Sequence, residues 1–60
     1  MKESDWRELC RSAFDFGYIA KLIEHTVDLA TFKTQFKPDS DLTEEKWDQL
    51  YEWYLDGARS

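Results

Sequence analysis

The chain is expected to be all-α, a helical hairpin, and three features of the sequence carry that expectation. Between Thr43 and Asp56 the residues Trp47, Leu50, Tyr51, Tyr54 and Leu55 recur three and four apart, the spacing that places side chains on one face of a helix. Trp6, Leu9, Cys10, Ala13, Phe16 and Ala20 keep the same period near the start of the chain. Lys37-Pro38-Asp39-Ser40-Asp41 divides the two, because proline cannot continue a helix and disfavours helical backbone at Lys37 before it. The sequence contains no strand alternation, internal repeat or low-complexity segment.

The first helix is expected over about residues 5–35, with a break or bend at 26–28. Ser4 is placed to cap it, and Asp5 and Glu8 put negative charge in the first turn, where the helix dipole favours it. Glu3/Arg7 and Arg11/Asp15 stand at ion-pair spacing on its wet face. Further on, Val27 and Phe32 fit a hydrophobic staple around an Asp28 N-cap. The chain then either ends a helix near His25 and restarts at Asp28, or bends and continues to about Gln35. A loop over 37–42 follows, and Leu42, Thr43 and Trp47 match the staple and cap of a second helix over about 43–57, with Gly57 as its natural stop.

Sixty residues form one domain that buries only about 60% of the surface exposed by the unfolded chain. The single cysteine permits no intrachain disulfide, and His25 with Cys10 alone cannot build a zinc site. Stability must therefore come from helix packing or from a second subunit. The net charge of −5 argues against direct binding to nucleic acid or to an anionic membrane, both of which need a basic face, and favours basic partners. Met1 to Asp5 leads into charged residues rather than an apolar signal core, and the apolar stretch around Phe16 to Ala20 is far too short to span a bilayer. A cytoplasmic location is expected, in keeping with the unpaired Cys10.

Three tryptophans, three tyrosines and four phenylalanines are a large apolar load for so few helices to hide, so a homodimer is expected. Between Phe14 and Ile23 the helix is apolar nearly all round, broken only by Asp15 and Lys21, and such a helix has neighbours on more than one side. One neighbour is the C-terminal helix; the other is most simply a second copy, contacted by Phe14, Phe16, Gly17, Tyr18, Ile19, Leu22 and Ile23. Ala13, Gly17 and Ala20 form a strip of small residues that lets another helix approach closely, unless Gly17 marks a break between two shorter helices.

The second helix carries the candidate partner site: Glu44, Asp48, Glu52, Asp56 and Trp53. The four acids stand four apart, and residues 39–56 hold seven acids against one base, Lys46. Like charges at that spacing destabilise a helix by about 0.2–0.5 kcal/mol per pair, and Asp56 sits at the unfavourable end of the dipole. Such a face either meets a basic patch on another protein or simply keeps the chain soluble. Trp53 lies off the apolar stripe, as an interface anchor or packed on the stem of Lys46 or on the loop.

Catalytic, cofactor and metal sites are not expected. Asp39-x-Asp41-x-Thr43 opens like a calcium loop, but Glu44 stands where a glycine is needed and Leu50 where the closing glutamate belongs. His25 has no nucleophile and acid around it in sequence, and Cys10 reads as a buried packing residue.

In its size and acidity, and in its apolar Trp6 to Ile23 stretch and acidic, aromatic Thr43 to Asp56 helix, the whole chain resembles the small acidic helical proteins encoded in the exo to xis region of lambdoid bacteriophages, including Shiga-toxin phages. The resemblance implies a cytosolic, non-enzymatic early protein that biases the choice between lysis and lysogeny by contacting host or phage regulatory proteins. It carries over no functional residues. The alternative is an acidic DNA mimic that occupies the DNA-binding groove of a host protein, whereas a DNA-reading helix would need bases where this one carries acids.

Overall fold

A computed structural model of the chain describes residues 3–36 and 41–60, and contains three helices in the order α1 (Glu3–Leu22), α2 (Leu29–Gln35) and α3 (Glu44–Arg59). Among the described residues there is no strand, so the all-α class stands. Most of the loop expected at 37–42 lies outside the described residues.

α1 begins at Glu3, which puts Ser4 inside the first turn rather than at the cap. Its end is written in the backbone: Glu24 takes a left-handed conformation (φ 52°), its amide donates to the Lys21 carbonyl at 3.0 Å, and the His25 amide donates to the Ala20 carbonyl at 2.8 Å. This is the Schellman closure of a helix C-terminus, built here on a glutamate instead of the usual glycine. The first helix therefore stops at Leu22, three residues short of His25, and the chain restarts after the Asp28 cap instead of continuing as one bent helix to Gln35.

The 23–28 segment that follows is held by α3. Tyr54 Oη accepts from the Val27 amide at 2.9 Å, and the Tyr51 hydroxyl donates to the Val27 carbonyl at 2.9 Å. Both polar groups of one linker residue are thus satisfied by two side chains on one helix, as a partly buried peptide requires. Asp28 then caps α2, accepting from the Thr31 amide at 2.9 Å. Hydrogen bonding from Thr31, first by its side chain and then by its backbone, holds the Asp28 carboxyl below its ordinary value. Thr43 caps α3 in the same way, accepting from the Lys46 amide at 3.3 Å, while Leu42 and Trp47 pack on the core from either side of that cap.

The core contains Cys10, Ala13 and Ala20 from α1, Phe32 from α2, and Leu50 and Tyr54 from α3. Phe32 is fully buried and its ring meets those of Phe16, Phe36, Trp47, Tyr51 and Tyr54 at centroid distances of 4.9–6.1 Å. One residue of a seven-residue helix thereby ties α1 to α3.

The two long helices touch backbone to backbone. A Cβ added at Gly17 would overlap the Tyr54 carbonyl, and one at Gly57 would overlap the Phe14 carbonyl and lie 3.0 Å from the Tyr18 amide. Gly57 is accordingly buried inside α3, with no positive φ, and the helix runs past it to Arg59 rather than stopping there. The pairings of Trp6 with Lys46, Phe14 with Trp53 and Gly17 with Tyr54 advance together along both helices. α1 and α3 therefore run in the same sense, and the stretch containing α2 carries the chain back between them; in this respect the arrangement differs from a two-arm hairpin.

Two outcomes follow. Gly17→Ala and Gly57→Ala are each expected to lower stability by about 1–3 kcal/mol through overpacking, although alanine gains about 1 kcal/mol of helix propensity; a urea midpoint that holds or rises would show the helices are not in contact there. Glu24→Gly relieves a left-handed conformation that costs a side-chain-bearing residue about 1–2 kcal/mol, less the extra entropy glycine loses on folding, so thermal unfolding should move up by a few degrees.

Candidate interaction surfaces

The residues expected at a dimer interface divide into two groups. Phe16 faces inward, its ring 5.4 Å from Tyr54, 6.1 Å from Phe32 and 6.3 Å from Phe36, and Gly17 is buried against α3. Both are used within the chain and cannot serve a second copy at the same time. Phe14 is half-buried, edge-on to Trp53 at 6.4 Å. The rest form one exposed patch: Tyr18 (44%), Ile19 (57%), Leu22 (64%) and Ile23 (65%). With 3.6 residues per turn Tyr18, Ile19 and Leu22 fall on the side of α1 away from Ala13, Gly17 and Ala20, and Ile23 follows in the turn after the helix.

A single copy shelters its rings better than the composition implied, because only Tyr18 and Trp53 of the ten are exposed. The surplus apolar surface is mostly aliphatic. Aromatic residues on α2 and α3 turn toward one another around Phe32, and edge-on and tilted ring contacts fill that volume efficiently.

On α3, Asp48, Glu52, Trp53 and Asp56 come together with Gln49 around a shallow concavity, while Glu44 is exposed on the same helix but outside it. Asp56 meets Arg59 at 3.6 Å, an exposed pair of small energetic weight. Trp53 meets Phe14 edge-on, while the Lys46 ammonium lies over the Trp6 ring, 4.2 Å from its centroid, and joins the N-terminal ends of the two long helices.

Trp53 also closes an open groove of about 590 Å³ between α1 and α3, lined by Trp6, Arg7, Cys10, Arg11, Phe14 and Asp15. The sequence reading assigned Arg7 and Arg11 to ion pairs on a wet face and so missed this surface. The available signal was two parallel rows at four-residue spacing, Trp6-Cys10-Phe14 and Arg7-Arg11-Asp15. Cys10 is 6% exposed; burial pushes its thiol upward, partly opposed by the charge of Lys46, so it stays a neutral packing group at ordinary pH. His25 is exposed at the turn after α1. Among the described residues no three metal-ligating side chains gather, and no helix is long and apolar enough to cross a membrane. No protein-family model, curated protein or solved structure matches this chain.

Proposed function

We propose that this protein is a non-enzymatic interaction module that pairs as a homodimer through Tyr18, Ile19, Leu22 and Ile23 and offers the acidic face of α3, with Trp53, to a basic surface on another protein. What supports the reading is the exposure of those four side chains, three on the side of α1 away from Ala13, Gly17 and Ala20 and the fourth just beyond its end. Left in water they forgo about 25 cal/mol for each Å² that a partner would cover. A patch of this kind, rimmed by the exposed Lys21 and Glu24, has the apolar centre and polar edge of an interface. A two-fold axis through it brings the same residues together from both copies.

On the resemblance to lambdoid phage proteins of the exo to xis region, the setting is the bacterial cytoplasm. The action is occupancy of a regulatory protein's surface so as to bias lysis against lysogeny. A DNA mimic is the second reading, favoured by the exposure of Glu44, Asp48, Glu52 and Asp56 at one-turn intervals.

Light scattering after size exclusion at micromolar concentration should give a dimer mass. Leu22→Asp should weaken self-association by at least about 2 kcal/mol, roughly thirtyfold in Kd, with the helical circular dichroism unchanged; a wild-type protein that is monomeric throughout would remove the homodimer. The combined variant Glu44→Gln, Asp48→Asn, Glu52→Gln and Asp56→Asn should lose its basic partner, whose binding to the wild type should weaken steeply with salt. Retained, salt-insensitive capture by that variant would reduce the acidic face to a solubilising role.

A further inference from the structure

We draw no further inference here: the strongest candidate, the open apolar groove that Trp53 closes between α1 and α3, carries nothing because nothing in the structure shows what covers it.

Discussion

The fold rests on the contact between Gly17 and Gly57, where α1 and α3 approach until each glycine lies against the other helix's backbone. Helices bearing ordinary side chains stand 8–10 Å apart, and a larger residue at either position would drive a carbon into a peptide carbonyl. The glycines cost helix propensity, roughly 1 kcal/mol each. What they permit is a dry contact in which Ala13, Ala20, Leu50 and Tyr54 are all buried. Close contact on one side of α1 also fixes what is left on the other, because a helix with Ala13, Gly17 and Ala20 facing inward must carry Tyr18, Ile19 and Leu22 outward.

Around that contact the aromatic residues act as a second frame. Phe32 enters from a helix too short to be stable alone, and it is held by the rings of α1 and α3 together with the Asp28 cap. Tyr51 and Tyr54 contribute twice, with their faces to the ring cluster and with their hydroxyls to Val27. A buried tyrosine whose hydroxyl is satisfied by backbone supplies both apolar area and direction. Trp53 lies just beyond this frame, between a groove edged by Arg7, Arg11 and Asp15 and a ledge edged by carboxylates.

The two long helices were readable in the sequence because each carries a sustained apolar period, and the caps at Asp28 and Thr43 because cap chemistry is local. An end of α1 near His25 was one of two readings, and the residue that makes it was hidden. A left-handed residue is normally announced by glycine or asparagine, and Glu24 announces nothing. Gly57 misled for the converse reason: a glycine after the last periodic residue reads as a stop, and only the position of Phe14 on another helix reveals it as a contact. Phe32 was visible as a staple residue but not as the centre of the core, which depends on where the chain returns after residue 28. At the surfaces, Trp53 and the acidic column could be read from helical offsets. The groove along α1 could not, because Trp53 closes it from a helix about forty residues further along the chain.

The pinning of Val27 has a consequence for the order of assembly during synthesis. The peptide groups of residue 27 find their partners on Tyr51 and Tyr54, 24 and 27 positions downstream. Until that stretch has left the ribosome, the peptide groups of Val27 lack those hydroxyls and Phe32 lacks the rings of Trp47, Tyr51 and Tyr54 around it. The packing of the first half of the molecule is therefore completed by the second.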